Sequence, residues 1–557
     1  MRVRCTILLF CASALCAVLF SQRAATRHPD NLPVFTDITK EAGITFKHSY
    51  GDTRLDNIVE GTGGGACFFD YNNDGLLDLY FVTGTWTKGV SDNQGRSLRG
   101  KLSNRLYRNL GNGKFSDVTD QAAVGGKGVF SSGCAAADYD NDGHVDLYVL
   151  NYGPNILYHN NGDGTFTDVS AKSGLADPRW SLHALWFDYN NDGLLDVYVA
   201  NYLKYDDGKF RDFYAAQGYP GPLSYSGEPD ALYRNNGDGT FTDVTREAGM
   251  YRPDGRAMSV TAADFNNDGR LDVYVANDAM ENYLFLNLGR GKFEEKAVEL
   301  GVAFGEHGQG VASMGPVAGD VNRDGLLDLY IPDLNYNSLL VQGPRGFRDM
   351  ADVSGLAVVM GQYAGWGAVL FDYDNDGWLD IFTVHGNAHH EYVQEDTLVR
   401  NRGDGTFEDV SDHSGPYFQQ KYCGRGATWG DYDNDGDVDL VVVNLNDYAK
   451  LLRNDGGNRN NWLSVEAKLK FSTGARDAIG ARVTVTTGSL RQIEDLAPVR
   501  GYLGQGDSRL HFGLGQAAFA DSVEIRWPDG TVEKHQKVRA NQFLKLTREA
   551  KVTREVR

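Results

Sequence analysis

The sequence predicts an all-β protein, a seven-bladed β-propeller followed by a small C-terminal β domain, and three observations carry that prediction. A nine-residue acidic frame, D-x-[DN]-x-D-G-x-x-D, opens at Asp70, Asp138, Asp188, Asp264, Asp320, Asp372 and Asp431. Each copy lies between an apolar run and an alternating one, as GGGACFFD and LDLYFV flank the first, so the loop joins two strands. Downstream comes a second signature, LYRNNGDGTFTDVT at 232–245, whose N-G-D-G supplies a tight turn between two more strands. Four strands per unit, recurring at spacings of 68, 50, 76, 56, 52 and 59 residues, make a propeller.

Of the 557 residues, 67 are Gly, 29 Tyr and 27 Phe, which suits a turn-rich β protein with a large core. The chain starts with basic MRVR and the 16-residue apolar stretch CTILLFCASALCAVLF, read as a signal peptide over residues 1–25. The stretch is short for a membrane span, and without a clean cleavage motif an uncleaved anchor stays open. An exported protein is expected: secreted, periplasmic or cell-surface. The last repeat stops at LLRND without its F-x-D-V-T strand, while VFTDITKEAGI at 34–44 matches TFTDVTREAGM at 240–250. The N-terminal strand should therefore complete the seventh blade and leave no open edge, giving a propeller over residues 33–458.

The acidic frame carries its own chemistry. In the first loop Asp70, Asn72 and Asp74 occupy positions 1, 3 and 5, Gly75 allows a sharp turn at 6, and Asp78 closes at 9. Oxygens at those spacings wrap a hard cation. The same positions hold Asp138, Asp140, Asp142 and Asp146; Asp188, Asn190, Asp192 and Asp196; then Asp264, Asn266, Asp268 and Asp272. They continue with Asp320, Asn322, Asp324 and Asp328; Asp372, Asp374, Asp376 and Asp380; and Asp431, Asp433, Asp435 and Asp439. These 24 aspartates repel one another unless a cation neutralises them, so up to seven structural Ca²⁺ ions are expected. Filling seven sites would bring the formal charge from −21 to −7. The flanking strands, and Phe81 at position 12 where an EF-hand needs a bidentate Glu, exclude an EF-hand.

The two long spacings come from insertions at 84–103 and 202–229, in connections opposite the calcium loops, and 385–396 occupies the same kind of connection. Long loops on a rigid scaffold are where binding resides. Candidate ligand residues are therefore Tyr205, Tyr214, Tyr219 and Tyr225, which could stack on sugar rings or instead form a small core of the insertion, and His385, His389 and His390. No G-x-S-x-G elbow, HExxH, C-x-x-C or P-loop occurs, so no catalytic residue is assigned. An enzymatic alternative remains, a polysaccharide hydrolase or lyase at the channel mouth using His183, Arg256, His307 or Arg425. Arg402-Gly403-Asp404 stands where other repeats read NGDG and is a repeat turn.

Three cysteines lie in the N-terminal segment, leaving Cys67, Cys134 and Cys423. Cys67 and Cys134 precede their loops by three and four residues, which points them to opposite faces of comparable strands, so buried free thiols are expected. Residues 459–557 hold 17 Lys and Arg against 11 Asp and Glu, whereas residues 26–458 carry −30. WLSVEAKL, ARVTVTT, SVEIRW and the WPDG turn make this basic part a β domain, residues 461–547, before a charged tail at 548–557. A +6 domain beside −30 repels phosphates overall, so nucleic acid is not the expected partner; the surplus suits docking on the propeller or an anionic surface.

The seven loops with their Gly-rich preceding strands resemble FG-GAP or VCBS repeats, the units of integrin α-subunit propellers. NWLSVEAKL, AIGARVTV, GYLGQGDSRLHFGLG and DSVEIRWPDG resemble the ASPIC/UnbV domain. Both together, in this order, resemble the cartilage acidic protein 1 family, mostly exported proteins without an established reaction. The resemblance implies calcium on side chains at positions 1, 3, 5 and 9 and on the carbonyl at position 7. Those carbonyls belong to Leu76, His144, Leu194, Arg270, Leu326, Trp378 and Asp437. The expected protein is a monomeric adhesion or binding module that presents a protein or carbohydrate partner with the face opposite the calcium loops.

Overall fold

The computed structural model describes residues 32–205, 219–334, 336–387, 392–499 and 501–553. The expected signal segment, Tyr214, His389 and His390 lie outside them. Among the described residues, seven antiparallel sheets are built on the acidic loops, six of four strands and one, on the Asp264 loop, with Val311–Ala312 as a fifth. Blade one comprises Ala66–Phe69, Asp78–Phe81, Arg105–Asn109 and Phe115–Asp117, with each loop joining the innermost strand to the second. In blade seven, Gly424–Gly430, Asp439–Asn444 and Lys450–Asp455 are completed by Val34–Asp37 from the start of the chain, Phe35 opposite Asn454. The pairing follows from sequence: the seventh repeat has no outer strand of its own.

Two repeated contacts lock each blade to the next. In six loops the residue at position 2 is aromatic, Val321 being the exception, and it packs against the outer-strand Phe of the following blade, as in Tyr71 with Phe166, Tyr139 with Phe241, Tyr189 with Phe293 and Tyr432 with Phe115. In return an Asn near the end of the third strand, replaced by Gln342 in blade five, donates its side-chain amide to the carbonyl at position 2 of the preceding blade. Asn160 reaches Tyr71 O at 2.8 Å and Asn454 reaches Tyr373 O at 2.8 Å, and Asn109 closes the circle on Tyr432 O at 2.8 Å.

The cysteine expectation is corrected: Cys67 and Cys134 form a disulfide, Cα atoms 6.3 Å apart. Opposite parity was read correctly, but in a ring one face of a blade packs on the opposite face of its neighbour, so side chains of opposite parity meet. Cys423, the remaining cysteine of the described residues, is in no disulfide; it is buried and its Sγ donates to Asn387 O at 3.2 Å.

The C-terminal part is two packed sheets. Asn461–Lys470 pairs with Ala475–Asp477, Leu510–Gly515 and Phe543–Glu549; Arg482–Thr487 pairs with Leu490–Asp495 and Phe519–Arg526, which carries Val532–Arg539. Leu463, Val465, Val483, Val523, Ile525 and Trp527 fill the space between them. The expected tail at 548 begins inside the last strand, and beyond it Thr553 N donates to Asp192 O at 2.7 Å on blade three. Between the two sheets, residues 496–509 leave the domain and enter the centre of the ring. There Gln505 pairs with blade one through Phe68 N (3.0 Å) and Ala66 O (3.1 Å), and its side chain brackets the Ala136 backbone of blade two at 2.8 and 2.9 Å. Leu503 O accepts from Cys134 N, and Asp507 N donates to Trp429 O.

Candidate metal centres and the face they build

The seven acidic loops share one hydrogen-bond pattern. The position-1 carboxylate accepts from the backbone amides of positions 5 and 6, as Asp70 does from Asp74 (3.1 Å) and Gly75 (2.8 Å), and Asp372 from Asp376 (3.0 Å) and Gly377 (2.6 Å). Glycine at position 6 has φ between +83° and +93° in every copy, the conformation that a side chain resists. Position 4 also stands in the left-handed region, at Asn73, Asn141, Asn191, Asn267, Arg323, Asn375 and Asn434, and asparagine tolerates it better than most residues. The position-9 carboxylate is buried and accepts two backbone amides: Asp78 from Tyr71 (3.1 Å) and Asn109 (2.7 Å), Asp439 from Tyr432 (3.4 Å) and Asn454 (2.8 Å).

These carboxylates converge without compensation from within the loops. Burial, reinforced by neighbouring carboxylates, pushes Asp78, Asp146 and Asp328 up to about 8, and Asp138 and Asp431 up to about 7. Carboxylate oxygens of Asp138, Asp140 and Asp142, of Asp372, Asp374 and Asp380, and of Asp431, Asp433 and Asp439 lie within 4.8 Å of one another. Asp433 Oδ1 and Asp437 Oδ1 are shielded from water with no hydrogen-bond partner. Hard oxygens, crowded, buried and partly unpartnered, fit a calcium ion. The loops at Asp70, Asp188, Asp264 and Asp320 carry Asn at position 3 and so one charge fewer.

The loops are joined into a ring. Asn73 donates to Gly143 O at 2.9 Å, Asn141 to Gly193 O at 3.2 Å, Asn375 to Gly436 O at 3.0 Å, and Asn434 back to Gly75 O at 3.3 Å. The same asparagines face the C-terminal domain through their carbonyl oxygens. Asn141 receives Arg476 at 2.6 Å, Asn375 pairs with His511 at 2.7 Å, Asn434 receives Arg509 at 2.5 Å, and Asn267 receives Arg482. Arg526 reaches Asp264 at 2.7 Å, and Arg482 lies between Asp495 (2.6 and 2.9 Å) and Asp264 O (2.9 Å). The basic surplus of the C-terminal domain thus meets the acidic loop face of its own propeller.

The other candidates do not assemble as expected. Tyr219 and Tyr225 are buried in an apolar cluster with Trp180, Tyr202, Met258, Trp366 and Tyr502, and Tyr205 packs against it, so the described part of the insertion is core rather than a sugar-stacking platform. The reason is that Tyr502 and Leu503 bring an apolar tip up the channel that the insertion must cover. His385 sits inside strand Asp380–His385, fully buried and 2.9 Å from Thr397 Oγ1. The four catalytic alternatives also fail to form an open site. His183 is enclosed between Ser259 Oγ (2.9 Å) and Gly504 O (3.0 Å), and the buried Arg425 guanidinium stacks on Trp366 at 3.8 Å and donates to Gly61 O at 2.9 Å. Arg256 bonds Tyr225 O at 3.3 Å, and His307 is exposed on a separate turn. The channel centre they were to surround is filled by residues 501–507.

Sequence reasoning missed that insertion, although a signal for it exists. Five residues before each loop stand Gly65, Gly133, His183, Ser259, Gly315, Gly367 and Gly426, a ring of small side chains with one His. It also missed His159, whose Nδ1 lies 3.1 Å from Asp146 and 3.4 Å from Asp140.

An FG-GAP-like repeat model matches residues 70–149, 138–199, 205–275, 264–331 and 372–442, and an ASPIC and UnbV model matches residues 471–553. Human cartilage acidic protein 1 is 29% identical over 72% of this chain and 60% of its own length; the Xenopus tropicalis protein is 28% identical over 72% and 61%. The mouse protein is 31% identical over 54% of this chain and 46% of its own. The chain thus spans less than two thirds of the relatives it matches. Among solved structures, an Agrocybe aegerita lectin recognising non-reducing terminal N-acetylglucosamine aligns with TM-score 0.40, 17% identity, 69% of this chain and 86% of the lectin. BBS1N from a complex with ARL6DN aligns with TM-score 0.38, 7% identity, and 76% and 97% coverage. Likeness at that level carries no argument about function. Among the described residues no helix is long and apolar enough to cross a membrane.

Proposed function

We propose, for a chain that belongs to the family of FG-GAP-repeat proteins carrying a C-terminal ASPIC/UnbV domain, that it is an exported calcium-stabilised binding module. Calcium at the seven loops has a structural role: each ion fixes a loop, the loops hold one another, and the loop face holds the C-terminal domain. The partner, a protein or a carbohydrate, binds on the opposite face. One observation carries this reading: the C-terminal domain already covers the calcium-loop face and fills the channel centre, leaving the insertion-bearing face as the surface for another molecule. Calcium then acts on partner binding only through the fold.

The test is capture on glycan and extracellular-protein arrays in calcium. Leu223 and Tyr392 are large side chains exposed on that face, at 47% and 46%. Leu223→Glu combined with Tyr392→Ala should abolish a captured signal at unchanged melting temperature. A signal that survives this pair and disappears with Arg substitutions in the C-terminal domain would place binding elsewhere.

A further inference from the structure

Blade two departs from the other six at one position next to its acidic loop. The residue before the locking amide of the third strand, Asn in six blades and Gln342 in blade five, is Arg108, Arg234, Arg400 or Arg453 in four blades and Leu286 or Val341 in two; in blade two it is His159. Where arginine stands here it can neutralise the loop: Arg108 lies 3.3 Å from Asp74, and Arg400 3.0 Å from Asp374 and also on Asp376. Imidazole is shorter and can do something a guanidinium cannot, which is to offer a lone pair to a metal ion.

The local geometry favours that use. His159 Nδ1 lies 3.1 Å from Asp146 Oδ1 and 3.4 Å from Asp140 Oδ2, within ion-pair reach of both, and Asp140 Oδ1 is shielded from water without a hydrogen-bond partner. Donors about 2.1 Å from a common ion stand ~3.0–3.4 Å apart at octahedral or tetrahedral angles, which is the spacing seen. One donor atom each from Asp140, Asp146 and His159 lies within 4.8 Å of the others, and Asp138 and Asp142 of the same loop stand beside them.

We propose that the blade-two centre is a mixed nitrogen–oxygen site for a divalent transition metal of the Zn²⁺ or Mn²⁺ class, held by His159 Nδ1, Asp140 and Asp146, in a ring of otherwise all-oxygen sites. An imidazole ligand raises affinity for such ions and adds little for Ca²⁺, which prefers oxygen. This deepens the reading of the loops as metal sites and rests on it for the loop geometry.

The exported chain is stripped with chelator, reloaded in excess Ca²⁺ and titrated with Zn²⁺, with both metals counted by elemental analysis. The expected result is one Zn²⁺ per chain retained against calcium, with His159→Arg, which restores the residue of four other blades, binding it about tenfold or more weakly. The calcium count at the remaining loops should be unchanged, and the same samples report separately on the parent reading. Zinc retained equally by wild type and His159→Arg would overturn the assignment. Should His159→Arg fold poorly, Mn²⁺-loaded wild type decides: electron–nuclear double resonance showing one coupled nitrogen supports the site, and its absence refutes it.

Discussion

The residue five places before each acidic loop decides how close another chain segment can come to the ring's centre. A Cβ built on Gly65 would lie 2.1 Å from Leu503 O, and one on Gly315 2.8 Å from Tyr502 N, so small residues there are a condition of the central insertion. His183, the exception, is used as a partner and accepts or donates between Ser259 and Gly504. On the domain interface the decisive residue is Arg482, which chelates the buried Asp495 carboxylate through two nitrogens and reaches blade four. Arg482→Ala leaves the buried Asp495 carboxylate without its counter-charge and with the Asp264 amide at 2.8 Å, and should cost about 3–5 kcal/mol in urea denaturation. The acidic frame was legible in sequence because its turn is local: Asp oxygens and a left-handed Gly lie within nine residues. His159 and the small-residue ring were present in the same rows, but their meaning depends on partners brought by the third strand and by the segment 501–507, which lies outside the repeats.

Closure at the element scale rests on one short strand. Val34–Asp37 supplies the outer edge of blade seven, where Phe35 is fully buried against Tyr373 of blade six and Phe418. Phe35→Ala should therefore behave as a core truncation and not as an end effect, losing about 3–5 kcal/mol by chemical denaturation. A loss below about 1 kcal/mol would mean that the ring holds without this seam. The strand's role was readable because VFTDIT repeats a pattern missing from the chain's last repeat. The disulfide between Cys67 and Cys134 was not, since strand parity gives the direction of a side chain but not which neighbouring sheet it meets. Which of the two readings of the insertion tyrosines holds was not legible for a related reason: composition could not show that Tyr502 and Leu503 would arrive beneath the described part of the insertion.

The whole molecule pairs an acidic ring with a basic domain that roofs its loop face and offsets only part of its charge, and a bound cation would compete with protons for the same carboxylates. Without metal, the folded-state values of Asp78, Asp146 and Asp328 are raised to about 8 from 3.8, so these groups favour the folded state when protonated and destabilise it as pH rises through that window. In chelator the melting temperature should therefore be higher at about pH 6 than at about pH 8.5, and in calcium the order should reverse, because protons displace the ion. Scanning calorimetry at both pH values checks the crossing. The most direct test of the account is calorimetric unfolding of the protein in calcium and after chelation, with bound calcium counted by elemental analysis. A ligand that binds only the folded state raises its melting temperature by mass action, and the account predicts a large rise with several Ca²⁺ per chain. An unchanged melting temperature with no bound calcium would contradict it, leaving the seven loops folded by their own hydrogen bonds.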